Sequence, residues 1–178
     1  MLEGIVRESI GKKDAKALRR DGYLIANIYG KGLENIDAAF KSNEYIRTVK
    51  RKETVAFPVK VGGKELNVVV QAYQSHPLTG DLVHVDLMLA HPGVETKYMV
   101  PVNTIGDPIG LKNKGLLYVA KTRLAVKAKV EDLPLSIDVN VAPLDLGDSV
   151  LIRDLDAPAN IKFLDSDRVS VLSINKAK

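Results

Sequence analysis

The residues best suited to chemistry near the start of the chain are cations grouped at helical spacing. Five of them fall between positions 12 and 20, and on a helix with about 100° between successive residues they share about one third of the circumference. Leu18 would point the other way, toward a core, and Asp14 would lie outside this basic arc, near the helix N-terminus, where its charge suits the dipole. The five cations are Lys12, Lys13, Lys16, Arg19 and Arg20.

This segregation of positive charge favours a polyanionic ligand. A solvated helix face usually mixes charges of both signs at i,i+4 spacing to gain ion pairs, whereas no acidic residue shares this arc. Phosphate oxygens are the usual partner of such a face, because Arg binds them with a two-pronged fork and Lys with a point charge. The stretch therefore indicates nucleic-acid binding. The alternative is an ordinary solvated face, and a second basic run at 47–52 either enlarges the surface or compensates a helix dipole.

Three histidines and one carboxylate form a second group with chemical potential. His76, His84 and His91 fall within sixteen positions, and Asp86 follows His84 by two residues. Residues at i and i+2 share one face of a strand, so His84 and Asp86 form either a metal pair, a general base with its orienting carboxylate, or a polar surface pair. A metal-dependent hydrolase using these four residues is therefore an alternative. The main prediction is a protein that is not an enzyme and has no catalytic residue, metal or cofactor.

The composition narrows the classes of function further. The chain has 178 residues and no cysteine, which excludes thiol catalysis and Cys-based metal sites and fits a reducing cytosol. Six Tyr, three Phe and no Trp disfavour binding modes built on rows of stacking rings. Because the start of the chain lacks a signal pattern and no apolar run is long enough for a membrane span, we expect a cytoplasmic protein without a membrane partner.

The elements that must position these residues are mainly strands. Short Val/Ile/Leu-rich segments separated by turn residues predict a mainly β fold. Helices are expected only at 12–20, closed by Gly22, and at 42–50, opened by Ser42 as N-cap. The glycines at 110 and 115 are spaced as in a phosphate-binding loop but lack its Lys and Ser/Thr, so we expect a turn there. The predicted strands are 24–29, 55–61, 66–73, 82–90, 98–105, 116–130 and 169–174.

Pro and Gly at 92–93 predict a boundary between two domains, residues 1–93 and 94–178. The first holds 14 Lys/Arg against 11 Asp/Glu. In the second, a basic stretch at 97–129 precedes an acidic stretch at 131–167, which has nine acidic and two basic residues. Like-charge repulsion should keep that acidic stretch away from RNA.

Two pairs of sequence blocks carry a family resemblance. GKKDAKALRRDG at 11–22 with ANIYGKG at 26–32, and QAYQSHP at 71–77 with LVHVD at 82–86, resemble the signatures of the large-subunit ribosomal protein twenty-five family in its long, two-domain form. That form is the general stress protein Ctc type, which binds 5S rRNA. The resemblance continues through 132–134 and 137–139, so it covers nearly the whole chain. It implies a closed six-stranded β-barrel with short helices, followed by a second mostly β domain.

The resemblance also implies a ligand and the residues that bind it. The first domain would bind the loop E region of 5S rRNA mainly through its minor groove, which is wide and shallow in an RNA duplex. The cations would contact phosphates or groove edges and the barrel would supply polar contacts, with Asp86 either accepting hydrogen bonds from RNA or orienting His84. Carried over by position, the RNA-binding residues are Arg7, Lys12, Lys13, Lys16, Arg19, Arg20, Tyr29, Gln74, His76, His84 and Asp86.

The expected partners are 5S rRNA, the large ribosomal subunit and its neighbouring proteins, and the free protein is expected to be a monomer. A further alternative is a stress-linked, ribosome-associated adaptor whose second domain carries the function.

Three positions depart from the family pattern. Ser75 replaces a usual Arg and removes one expected phosphate contact. Ile25 replaces a usual Pro, which predicts a less rigid turn after the basic helix. Leu87 replaces a usual Phe, which we expect in the core.

Overall fold

The computed structural model describes residues 2–52, 54–156, 158 and 160–176. The chain forms two compact units, Met1–Pro92 and Gly93–Lys178. Strands dominate both units, which confirms the mainly β fold that the sequence predicts. None of the helices within the described residues is long and apolar enough to cross a membrane.

The first unit is a closed barrel of six strands with two helices. Its elements are β1 (Leu2–Val6), α1 (Lys12–Arg20), β2 (Tyr23–Gly30), β3 (Leu33–Lys41), α2 (Ser42–Arg51), β4 (Ala56–Val61), β5 (Lys64–Ser75) and β6 (Leu82–Leu89). Around the barrel the strands follow the order β1-β3-β2-β6-β5-β4, and β1 closes the ring by pairing in parallel with β4. Closure leaves this sheet without a free edge. The barrel expected from the resemblance is confirmed.

Buried and more exposed side chains alternate along the barrel strands, so each strand has a core face and an outer face. Leu24, Ala26 and Ile28 of β2 are fully buried, as are Val85 and Leu87 of β6. Because successive side chains point to opposite faces of a sheet, the residues between them lie on the outside of the barrel. The expectation that Leu87 is a core residue is therefore correct.

α2 packs against the barrel core through the side that its periodicity predicts. Tyr45 is buried, and Ile46 and Val49 pack against the core cluster. The prediction of Ser42 as N-cap is wrong, since Ser42 is the first helical residue, Lys41 is the N-cap, and no side chain caps the helix. β3 continues directly into α2, and the backbone N–H of Ser42 donates to the carbonyl of Gly22 at 3.0 Å, so a tertiary contact satisfies a helix-end donor.

α1 lies on the outside of the barrel, against β2. Gly22 ends it as predicted, with a φ of +81° that favours glycine. The prediction that Leu18 anchors the helix in a core is wrong: Leu18 and Ala15 are only half-buried, and no residue of α1 is buried. The wall of the barrel separates an outer helix from the core. Part of the attachment is polar instead, because Nε of Arg19 donates to the carbonyl of Val83, which lies in β6, at 3.2 Å.

Ile25 lies within β2 and not in the turn after α1, so the expectation of a less rigid turn is wrong. Its backbone is in register with Ala39 of β3 and His84 of β6. Its side chain points outward by alternation yet is only 3% exposed, since α1 covers β2. The turn itself is formed by residues 21–22.

The second unit contains two sheets. Its elements are β7 (Thr96–Ile105), α3 (Ile109–Lys112), β8 (Gly115–Val119), β9 (Arg123–Ala128), β10 (Ile137–Asn140), β11 (Ser149–Leu151), β12 (Lys162–Phe163) and β13 (Ser170–Lys176), with 3₁₀ helices at Val130–Asp132 and Ile152–Asp154. One sheet has the order β10-β7-β9-β12 and the other β11-β13-β8. Val139, Val141, Val150 and Leu172 form a core cluster in this unit.

Two local predictions for the second unit are wrong. The run 116–130 is not one strand, because the backbone N–H groups of Ala120 and Lys121 both donate to the carbonyl of Val171 and interrupt it between β8 and β9. The glycine-flanked segment 110–115 is not only a turn, since α3 occupies its first part. Gly110 is buried there, and a Cβ on it would lie 2.9 Å from Cγ2 of Ile174. Close packing therefore explains this glycine without a phosphate.

Candidate nucleic-acid interface

The five cations of α1 form an exposed face that no acid neutralises. All five are exposed, and none has an ion pair among the described residues. Asp14, the one acid in the helix, accepts a hydrogen bond from the hydroxyl of Ser9 outside the arc. The half-buried Leu18 marks the opposite side, and the half-buried Ala15 lies between Leu18 and the arc. Five like charges held together in this way favour an anionic ligand over bare solvent.

Arg7 stands at the exit of β1, just before α1. Its backbone N–H donates to the carbonyl of Asp37 at 2.8 Å, and one terminal nitrogen of its guanidinium donates to the carbonyl of Ser9 at 3.2 Å. Its Nε is buried and makes no hydrogen bond within the described part of the chain. A buried donor without an acceptor is costly. Because Nε itself is buried, a contact between Arg7 and a ligand would use the terminal nitrogens of the guanidinium.

The outer face of the barrel next to α1 carries a cluster of polar side chains. In the strand register, His84 of β6 lies between Ile25 of β2 and Gln74 of β5. Asp86 follows on the same face, with Asn27 as its neighbour on β2. Adjacent strands are about 4.8 Å apart, so these side chains form one continuous hydrogen-bonding surface.

His84 and Asp86 form the pair that their spacing predicts. Nδ1 of His84 lies 3.2 Å from Oδ1 of Asp86, and the side chains remain 26% and 34% exposed. The carboxylate fixes the orientation of the imidazole and leaves Nε2, on the far side of the ring, without a role in the pair. This geometry gives a physical basis to the orienting role of Asp86.

Tyr29 and Asn27 extend the polar surface along β2. Burial, and secondarily the charge of Asp86, raise the pKa of Tyr29, so its hydroxyl keeps its proton at neutral pH and both donates and accepts. Oδ1 of Asn27 is buried and has no hydrogen-bond partner among the described residues. Asn27 was not among the predicted site residues. The available signal was its position at i+2 from Ile25 and i−2 from Tyr29, on the outer face of the strand.

The remaining histidines lie elsewhere and have separate partners. His76 begins the turn after β5, where its Nδ1 accepts from the backbone N–H groups of Leu78 and Thr79 at 3.4 and 3.3 Å. Nε2 of His91 lies 2.9 Å from the carbonyl of Lys31. No group of three or more metal-ligating side chains occurs among the described residues. The structure therefore does not favour the hydrolase hypothesis.

The hydrogen bond between Arg19 and Val83 joins the two parts of the surface, because Val83 directly precedes His84. The cations of α1 thus border the polar side chains on the outer face of the barrel. Tyr73, 52% exposed, is the one strongly exposed ring among the described residues of this unit. The arrangement suits the groove of a folded duplex better than the stacked bases of a single strand.

Both units match known protein families. The family model "Ribosomal L25p family" matches residues 2–87, and the model "Ribosomal protein TL5, C-terminal domain" matches residues 95–178. The chain is 66% identical over 178 residues to a protein of Sulfurimonas denitrificans, and 61% and 58% identical to proteins of Nitratiruptor sp. and Wolinella succinogenes. Each match covers 100% of both chains, and each relative is named large ribosomal subunit protein bL25.

Proposed function

The chain belongs to the ribosomal L25p family in its long, two-domain form, and from this premise we propose that it binds 5S rRNA through the barrel unit. Members of this family are structural ribosomal proteins and not enzymes. The chain is accordingly a structural protein of the large ribosomal subunit, associated with ribosomes in the cytoplasm. The choice of RNA and the residues that bind it are our proposal.

One observation carries the proposal: the unneutralised cations of α1 border the polar outer face of β2, β5 and β6. The Arg19–Val83 hydrogen bond fixes that neighbourhood. The cations neutralise phosphates, while His84, Tyr29 and Gln74 make hydrogen bonds to groove edges and sugar hydroxyls. Arg7 and His76 lie at the margins of this surface, and each supplies one nitrogen for a contact with the RNA.

The bound RNA is an irregular duplex, the loop E region, approached from its minor groove. The minor groove of A-form RNA is wide and shallow and displays 2′-hydroxyls and base edges, so a flat polar sheet face with few aromatic rings fits it. Because the barrel unit has its own core, residues 1–93 should suffice for binding, and removal of 94–178 should leave the affinity unchanged. The closed barrel offers no strand edge to a second copy, which supports a barrel unit that stays monomeric when free.

The test is direct binding of the full chain to transcribed 5S rRNA, with two competitors of equal length. An RNA duplex with the loop E sequence should compete, and a regular duplex should compete far less well. If about five phosphates are neutralised, the logarithm of the affinity should fall with the logarithm of salt concentration with a slope of roughly −4.5. Equal competition by both duplexes would contradict recognition of loop E.

A further inference from the structure

A second cationic surface lies at the end of α2, outside the proposed 5S rRNA site. It is a groove of about 450 Å³ that contains three cations, two threonines and one aromatic ring. We call it the α2 groove and define it by Arg47, Thr48, Arg51, Lys52, Thr54 and Phe57.

Among the described residues, the charges of the α2 groove have no counter-charge. No carboxylate lines it among the described residues, and none of its three cations has an ion pair in that part of the chain. Arg47 and Arg51 are one helical turn apart, a spacing at which like charges destabilise a helix. Such a cluster is stabilised when an anion binds.

Lys52 is held in the groove by an aromatic ring. It is half-buried, and its ammonium lies 5.9 Å from the centroid of the Phe57 ring. Burial lowers the pKa of Lys52, because desolvation disfavours the charged form of its ammonium. An anion in the groove would restore a favourable environment for that charge.

The three cations of the groove supply the hydrogen-bond donors for an anionic ligand. The hydroxyl of Thr48 already donates to the carbonyl of Glu44 at 2.9 Å, and that of Thr54 donates to the carbonyl of Ala56 at 2.7 Å. The donors of the two guanidinium groups and of the ammonium make no hydrogen bond within the described part of the chain. Two Arg forks and a Lys within one groove match the tetrahedral oxygens of a phosphate group.

The position of the groove separates it from α1. Phe57 belongs to β4, and in the closed order β1-β3-β2-β6-β5-β4 this strand lies three places from β2 in either direction. α1 contacts β2, and Arg19 is bonded to β6. The strand that carries Phe57 therefore lies across the barrel from β2, whereas α2 begins next to Gly22, at the end of α1. We expect an RNA segment that lies along α1 to leave free the groove at the other end of α2.

We propose that the α2 groove is a second phosphate-binding site, which binds the backbone of a second RNA segment on the side of the barrel away from α1. Cations near a helix C-terminus also offset the helix dipole, which is the alternative explanation of the basic run. That explanation covers Lys50 and Arg51 in the last turn of α2. It does not account for Arg47, one turn earlier, or for the contact of Lys52 with the ring of Phe57.

The test is an NMR titration of the isotope-labelled full chain with a short, regular RNA duplex of arbitrary sequence at low salt. In the wild-type protein, the side-chain signals of Arg47 and Arg51 and the backbone signals of Lys52 and Phe57 should shift saturably, together with those of α1. The double variant Arg47→Glu/Arg51→Glu should lose the shifts at Lys52 and Phe57 and retain those of α1. Arg47→Gln/Arg51→Gln should show the same loss without charge reversal.

The matched control is Lys50→Glu/Lys64→Glu, which changes the net charge equally, alters the last turn of α2, and leaves the lining of the groove intact. It should retain the wild-type shifts in the groove. Equal losses in the control and the groove variants would overturn the proposal, as would α1 signals that shift while the groove signals stay fixed. Shifts caused by inorganic phosphate but not by RNA would identify a free-phosphate site and overturn the assignment to RNA. Because the duplex is generic, this outcome is independent of whether the chain binds 5S rRNA.

Discussion

Nδ1 of His84 and Oδ1 of Asp86 lie 3.2 Å apart on the outer face of β6, next to the strand that carries Asn27 and Tyr29. A carboxylate that faces RNA is repelled by phosphates, yet this one is engaged with an imidazole. We therefore propose that the pair acts as a unit, in which Asp86 sets the orientation of His84 and His84 contacts the RNA.

We expect His84→Ala and Asp86→Ala each to weaken 5S rRNA binding, and the double variant to be no weaker than His84→Ala alone. Loss of one hydrogen bond costs on the order of 1 kcal/mol, so each single change should weaken binding by about fivefold to tenfold. The measurement is a double-mutant cycle of dissociation constants. Additive losses would instead show that Asp86 makes its own contact with RNA.

The titration of Tyr29 should report on the same cluster. Its pKa is raised above 10.0 by burial and, to a smaller extent, by the charge of Asp86, so Asp86→Asn should lower that pKa part of the way. A raised folded-state pKa means that the contribution of this group to stability is fully present below pH 10.0 and is lost as the pH rises through the folded-state value. The ring-carbon NMR shift of Tyr29 against pH measures both values. A Tyr29 pKa that does not fall in the variant would place Asp86 too far away to act on it.

Restoring the cation that the family pattern has at position 75 should strengthen binding. Ser75 is exposed at the end of β5, adjacent to Gln74 and His76 and in register with Leu82. Ser75→Arg should raise the affinity for 5S rRNA several-fold and steepen the salt slope by about 0.9, because one more phosphate is neutralised. Ser75→Gln adds a polar side chain without charge and serves as the control. An unchanged salt slope in Ser75→Arg would mean that no phosphate lies within reach of this position.

The barrel core should respond strongly to a single truncation. Leu87 is fully buried among the core residues of the barrel, whereas Leu78 in the turn after β5 is 91% exposed. We expect Leu87→Ala to lower the free energy of unfolding of the barrel by about 2–5 kcal/mol and Leu78→Ala to change it by less than about 0.5 kcal/mol. Urea unfolding monitored by NMR signals of the barrel measures both. Similar losses in the two variants would contradict the assignment of Leu87 to the core.

Features that depend on neighbours in the sequence were predictable. The basic arc of α1 follows from the helical period, and the His84–Asp86 pair follows from the i,i+2 alternation of a strand. The end of α1 at Gly22 follows from local backbone preference. The barrel was expected from the family resemblance, not from strand patterning.

Features that depend on distant partners were not predictable. β1 is only five residues long and is defined by its pairing with β3 and β4. The Arg19–Val83 hydrogen bond spans 64 positions, and the interruption between β8 and β9 depends on the carbonyl of Val171. The unpaired acceptor of Asn27 likewise becomes visible only when the strands around it are assembled.

The measurement that tests the central claim most directly is the affinity of Lys16→Glu/Arg20→Glu for 5S rRNA. These two residues are one turn apart on the exposed face of α1 and have no partner among the described residues, whereas Arg19 also attaches the helix to β6. The control is Lys64→Glu/Lys112→Glu, which changes two exposed lysines outside the proposed site and alters the net charge equally.

Losing two phosphate contacts and adding two repulsive charges should weaken binding of the α1 variant by about 100-fold and make the salt slope shallower by about 1.8. The control should bind close to the wild-type value, and circular dichroism should show that both variants are folded. A folded Lys16→Glu/Arg20→Glu variant that binds 5S rRNA as tightly as the wild-type protein would contradict the assignment of α1 to the RNA interface.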